Sequence, residues 1–250
     1  MNLPVLLIVI FSSSLILTMI GLGGGLIFSP LFVLLGFTKS MAAATSLFLN
    51  GIAAASASIV YCRKGMVDFS VSLPLIITSS LGAPLGAMLT YRVNLKLFVG
   101  IMAAVIFLAA LRMLFSVKVT DHGTGVSQQR KVVGGGIIGL VIGFLAGLLG
   151  IGGGVFVVPL LIYFLGLSTK IAAASSMFIV CFSSLTGFIT HASITTIDWS
   201  FVLPAAACSF AGGQIGSRIM AERLRGRTIR IIFAIVLLAL SAKLFHRVFM

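Results

Sequence analysis

Gly21-Leu-Gly-Gly-Gly25-Leu-Ile-Phe-Ser-Pro30 and Gly150-Ile-Gly-Gly-Gly154-Val-Phe-Val-Val-Pro159 are one segment written twice, 129 positions apart. Each interrupts an apolar stretch far longer than a single membrane span, and each closes on a proline. Glycine costs a helix roughly 1 kcal/mol per residue against alanine. In hydrocarbon, irregular backbone is tolerated only where protein buries it or where it lines a cavity. The two breaks together predict the paired centre of a membrane transporter.

Outward from the breaks the duplication continues. Apolar runs occupy 3–20, 26–36, 41–62, 69–91 and 95–116, and then 132–149, 155–166, 171–191, 200–220 and 228–248. A polar connection, 117–131, separates the two series. After a one-residue insertion the offset becomes 130. Ala42-Ala-Ala-Thr-Ser46 then falls on Ala172-Ala-Ala-Ser-Ser176, Asp68-Phe-Ser70 on Asp198-Trp-Ser200, and Leu73-Pro74 on Leu203-Pro204. Gly82 and Gly86 fall on Gly212 and Gly216. The expected fold is all-α: a polytopic integral membrane protein of two tandem-duplicated, inverted repeats, each with four or five transmembrane segments and a Gly-rich broken helix. Residues 1–116 form the first repeat, 117–131 the linker and 132–250 the second repeat. Glycines at four-residue spacing (Gly139, Gly143, Gly147) let helices approach closely, and Ile10, Ser14 and Thr18 hold the equivalent places in the first half.

Composition excludes a soluble domain: 60% of residues are hydrophobic, 8% are charged, and the mean hydropathy is +1.25. Apolar runs of about 18 or more residues read as membrane helices. The net charge of +13 sets 17 Lys and Arg against four acids. Basic cytoplasmic loops account for such an excess, and an electropositive molecule also concentrates anions. No polar surface remains for nucleic acid. With five crossings per half, twelve basic residues lie inside, among them Arg63, Lys64, Lys170 and the cluster from Arg218 to Arg230, and five lie outside, beginning with Lys39. Four crossings divide them nine to eight, so odd crossings and inverted halves fit better. The runs 26–36 and 155–166 provide only about 17 Å of helix, short of a ~30 Å core, which predicts tilted or half-spanning segments. Residues 3–20 lack a basic n-region and match an internal stretch of the second half, so they are expected to be retained. Cys62, Cys181 and Cys208 show no metal or redox spacing and read as small buried hydrophobes.

Inverted repeats with broken helices place their substrate near the membrane midplane. Each glycine turn precedes a short helix whose free N–H groups and positive dipole end suit an anion; the alternative is a turn that only folds a hairpin. The expected substrate-binding residues are therefore Gly23, Gly24 and Gly25 with Gly152, Gly153 and Gly154. Thr45, Ser46, Ser175 and Ser176 follow the alanine runs and either donate to an oxyanion or bond helix to helix. Asn50 adds an amide donor, where the second half carries Val180. Asp68 and Asp198 read as N-caps, Trp199 as an interface anchor, and His191 as a solvated interfacial side chain that could titrate near neutrality. No catalytic triad, metal-ligand set or cofactor motif is present, so neither an enzyme nor a cofactor is expected. No carboxylate sits in mid-span for a proton relay. An interior-negative potential of 100 mV drives a monovalent anion outward by about 2.3 kcal/mol, so export needs no coupling ion.

The duplicated glycine motifs with Pro30 and Pro159, the Ala-Ala-Ala-Thr/Ser-Ser segments, and Asp68 and Asp198 together resemble the sulfite exporter TauE/SafE family, over essentially the whole chain. The resemblance implies a carrier in the inner (plasma) membrane for sulfite, a sulfonate or a related organic anion. Partners are then a small anion and the lipid bilayer, with homo-oligomer formation left open. The alternatives are a carrier of a cation or neutral metabolite on the same scaffold, or a membrane subunit that does not transport.

Overall fold

The structure is a computed structural model that describes residues 3–90, 128–163 and 165–225, with single positions between 100 and 107 and between 228 and 242. The expected runs 95–116 and 228–248, and most of the 117–131 connection, fall outside the continuously described residues. Among those residues there are eight helices and no strand: α1 Leu3–Met19, α2 Gly25–Leu34, α3 Lys39–Arg63, α4 Phe69–Leu89, α5 Gln128–Leu149, α6 Gly154–Tyr163, α7 Thr169–Ala192 and α8 Trp199–Arg223. Helix α5 begins inside the expected linker, whose last four residues are helical.

Local chemistry sets the boundaries. Thr38 caps α3 by accepting from the Met41 N–H. Asp68 accepts from the N–H groups of Ser70 and Val71, and Asp198 from that of Ser200, which makes both carboxylates the N-caps expected of them. The Ser200 hydroxyl, helped by first-turn N–H groups, holds the Asp198 carboxyl below its usual range. At its other end α3 closes through Gly65, in the left-handed region (φ 63°), with Met66 N–H returning to Tyr61 O at 3.0 Å.

Helices α3, α4 and α7 are long and apolar enough to cross a membrane. At 25 residues, α3 spans about 37 Å. It packs on α7 and α8, α7 packs on α3 and α4, α1 lies along α8, and α5 along α4. The α4/α5 and α1/α8 seams use matching positions. Added methyls on Gly143 and Gly147 would strike the backbone of Ser79 and Ala83, and those on Gly82 and Gly86 that of Leu140 and Phe144. Across the other seam Gly212 would meet Phe11 O at 2.5 Å, Gly216 would strike Leu15 O, and Ser14 bonds Ser209 at 2.9 Å. The outer face of α4 is the reverse of a soluble helix: Phe69, Leu73, Ile77, Leu81, Leu85 and Met88 form an exposed apolar stripe at helical spacing, and its buried face carries Ser72, Ser79, Gly82 and Gly86. Such an arrangement suits lipid outside and close backbone contact inside.

The two short helices turn back toward the end from which their hairpins enter. Helix α1 descends beside α8, until Tyr61 near the end of α3 bonds Thr18 O. From Gly25, level with Asn50 in mid-α3, α2 returns to the start of α3. Helix α5 enters from the opposite end, and α6 returns likewise toward the start of α7. Each short helix has 10 residues, about 15 Å. At one end lies a cavity bordered by Lys39, Thr90 and Thr195; at the other, Lys64 pairs with Glu222 at 2.7 Å and Lys170 reaches Ala221 O at 3.3 Å.

Because the α4/α5 seam is backbone against backbone, Gly143→Val should cost at least about 1–3 kcal/mol through overpacking. The check is a melting curve in detergent, where a clear drop is expected; an unchanged curve would show that these helices do not touch there.

Candidate functional site

The two glycine turns meet in the interior. A methyl on Gly25 would strike Ile151 O, and one on Gly154 would lie 2.5 Å from Leu22 O. Each turn also leans on the alanine run of the opposite half of the chain: a methyl on Gly21 would approach Ala173 Cα to 2.6 Å, and one on Gly150 Ala43 Cα to 2.7 Å. Side chains have no room between these strands of backbone. Gly23 (φ 69°) and Gly152 (φ 82°) also adopt the left-handed conformation that L-residues avoid.

The hydroxyls after the alanines serve these turns. Ser46 Oγ donates to Gly150 O at 2.8 Å, with Gly25 O as an alternative at 3.2 Å. Ser176 Oγ donates to Gly21 O at 2.9 Å, and Ser29 Oγ to Leu149 O at 3.0 Å. Carbonyls at a broken helix end have lost their intrahelical donors, and a serine from elsewhere supplies each. Ser175 is placed differently: its oxygen accepts from Asp68 N–H at 2.9 Å, ahead of α4. Thr45, its counterpart, is buried and its hydroxyl has no partner among the described residues.

Asn50 is the polar centre. It is wholly buried. Its Oδ1 accepts from Gly25 N–H at 2.9 Å, and its Nδ2 donates to Ser184 Oγ at 2.8 Å. Methyls on Gly23 and Gly152 would both overlap its amide, so one side chain fills the space between the two turns. The second half has Val180 and the first half Ala54 at the matching places, and no partner is found for the Gly154 N–H among the described residues. Gly24 and Gly153 stand slightly apart: an added methyl would meet Phe28 at the former, and Ile142 and Ala146 at 3.2 Å at the latter. The structure thus brings Gly23, Gly25, Ser46, Asn50, Gly152, Gly154 and Ser176 to one place, and sets Thr45 and Ser175 to its sides.

Sequence reasoning missed Ser184, Ser29, Thr90 and Tyr61. For Ser184 a signal existed: Asn50 departs from the duplicated pattern, and Ser184 departs from it at the position that can answer. His191 needs correction. It is fully buried rather than solvated, with Nε2 3.1 Å from Gly147 O, because the tip of α5 packs over the end of α7. The cysteines are half-buried and unpaired.

Among the described residues, helices alone, with apolar faces turned outward and two short helices buried at the centre, define an α-helical membrane protein. The family model for the sulfite exporter TauE/SafE family matches residues 6–244: the chain belongs to that family, and it is a membrane transporter, not an enzyme. It is 28% identical to the Probable membrane transporter protein YunE of Bacillus subtilis, over 92% of both chains. It is 26% identical to a Probable membrane transporter protein of Xylella fastidiosa (strain Temecula1), over 96% of this chain and 95% of that one. It is also 33% identical to Sulfite exporter TauE/SafE family protein 1 of Arabidopsis thaliana, over 50% of this chain and 30% of that one. No solved structure is a significant match.

Truncating Asn50 strands Gly25 N–H and removes the donor to Ser184. Asn50→Val is expected to cost about 1–3 kcal/mol, the range for buried unpaired polar groups. Ser184→Ala should cost less, since it leaves only one amide N–H unmet. Thermal unfolding of both variants in detergent checks that order.

Proposed function

We propose that the protein is a multi-pass carrier of the inner membrane that exports a small sulfur oxyanion, sulfite or a sulfonate, at the crossed glycine turns between two inverted repeats. The observation that carries the reading is the meeting of two helix N-termini, at Gly25 and Gly154, in a buried centre that holds no carboxylate among the described residues. Buried N–H groups with the dipole of a helix behind them favour negative charge. In the structure the Asn50 amide oxygen occupies the Gly25 N–H, as an oxygen of an anion would, and the Gly154 N–H has no partner among the described residues. Ser46 and Ser176 act as struts that keep the turns in place, and the glycines let a ligand approach backbone directly.

Opposite entry of the two hairpins supports inversion of the halves. The end with Lys64, Lys170 and Glu222 carries the basic side chains expected inside, and the cavity beside Lys39 then faces outward. Asp68 and Asp198 are spent on capping and Glu222 lies at a helix end. No described acid is therefore available as a relay, which favours export driven by potential alone. The family description and the printed name of the Arabidopsis relative point to sulfite.

Flux tests the reading. Purified protein in proteoliposomes under an inside-negative potential should release sulfite or sulfoacetate, with no need for a pH gradient. Gly154→Ala, which pushes a methyl onto Leu22 O, should lower that flux at least about tenfold, as small misplacements in a binding site do, while the variant still inserts. Full flux in Gly154→Ala would overturn the site, and absence of anion flux would overturn the function.

A further inference from the structure

The duplication sets Tyr61 against His191, and Thr18 against Gly147. Both pairs are in contact. Tyr61 Oη donates to Thr18 O at 2.9 Å, and His191 Nε2 lies 3.1 Å from Gly147 O. Each side chain holds a carbonyl three residues ahead of the first glycine of its turn, where α1 or α5 is about to end. Carbonyls in a last helical turn lack intrahelical donors, so these two side chains anchor the two hairpin tips. Because Gly147 O can only accept, the neutral ring carries its proton on Nε2. Nδ1 is left bare, fully buried and without a partner among the described residues. A phenol does not change charge in the physiological range and an imidazole does.

We propose that His191 is a positioning residue that makes the anchorage of the second glycine turn respond to protons, whereas Tyr61 makes that of the first turn indifferent to them. The proposal rests on the transport reading above for its consequence in flux. A proton gained at Nδ1 leaves the Nε2–H···O bond intact, but it places a cation in a buried site with no acceptor among the described residues. The described helices packed on α7 carry no acid that would offset it. Helix α3 presents Lys39 at this end, with Tyr61, Cys62 and Arg63 at the other. Helix α4 has no charged residue. Helix α5 carries Arg130 and Lys131 only at its far end, and α6 has Tyr163 near the start of α7. Asp198, ahead of α8, is engaged by Ser200. Hydration is the remaining way to stabilise the charged ring, so acid favours the arrangement in which the end of α7 parts from the tip of α5. The cavity is placed to supply that water. It holds about 360 Å³ and is lined by Ile194, one turn beyond His191, and by Thr90, whose hydroxyl bonds the neighbouring Leu148 O at 3.0 Å.

The test compares wild type, His191→Tyr, which copies the first half, and His191→Gln, which keeps a neutral donor. Flux of sulfoacetate, whose charge is constant over the range, is measured with equal pH on both faces. Wild-type flux should differ at least about threefold between pH 7.5 and about pH 5.5, across the histidine range, and the variants should lose that difference. Melting curves of the three proteins in detergent at the same pH values give a readout that needs no transport. Wild type should lose more of its melting temperature on acidification than either variant. Should no anion move at any pH, the transport reading fails and the melting curves still decide the role of His191. Profiles that run parallel in wild type and a folded variant, in flux or in melting, overturn the proposal.

Discussion

Two turns of bare backbone lie against each other in the interior, Gly25 beside Ile151 O and Gly154 beside Leu22 O, and most of the architecture answers to that contact. Away from water each unmatched N–H or C=O costs free energy on the scale of a lost hydrogen bond. Breaking two helices at one depth releases several such groups at once. Ser46, Ser176, Ser29, Asn50, Tyr61 and His191 are spent on them, each reaching into a turn or a helix end from another element. The same contact requires α2 and α6 to be half-length, since each starts at mid-depth. It also draws α1 onto α8 and α5 onto α4, because a hairpin that enters from one end must pack its long arm on a helix of the other half.

Symmetry at this centre is incomplete, and the exceptions share a pattern. Asn50 and Ser184 form a polar bridge where Val180 and Ala54 offer only carbon. Tyr61 and His191 anchor equivalent carbonyls with different chemistry. Thr90, which holds Leu148 O, corresponds to Met220. In the inverted-repeat reading the halves exchange roles between the two faces of the membrane. On that reading, differences at these positions make the two states unequal in energy and in chemistry.

The polar residues of the centre also illustrate how a hydroxyl in a membrane protein divides between structure and ligand. Serine has one proton to donate, and for Ser46 and Ser176 a carbonyl takes it. On the proposed reading, what remains for an anion is backbone: the N–H groups at the starts of α2 and α6, one met by Asn50 and one without a partner among the described residues. In the proposed site an oxyanion that displaced the Asn50 oxygen would gain two helix N-termini, with no buried acid among the described residues opposing it.

Much of this was legible in the chain alone. Composition showed a membrane protein, because 8% charged residues are too few to build a water-facing surface. The glycine runs marked where helices stop, because glycine weakens a helix wherever it stands, and Asp68 and Asp198 announced helix starts through chemistry that acts within three residues. Such signals are local and survive without a fold. Only the tertiary structure decided which partner each polar group meets. Ser184 lies 134 residues from Asn50 and Ser176 lies 155 from Gly21, and no periodicity encodes that distance. His191 shows the same limit: its place near a helix end predicted water, and the tip of a hairpin from elsewhere in the chain took the water's place. Hydrogen bonds between distant segments depend on how helices cross, and crossing is fixed by packing across the whole interior rather than by any stretch of sequence.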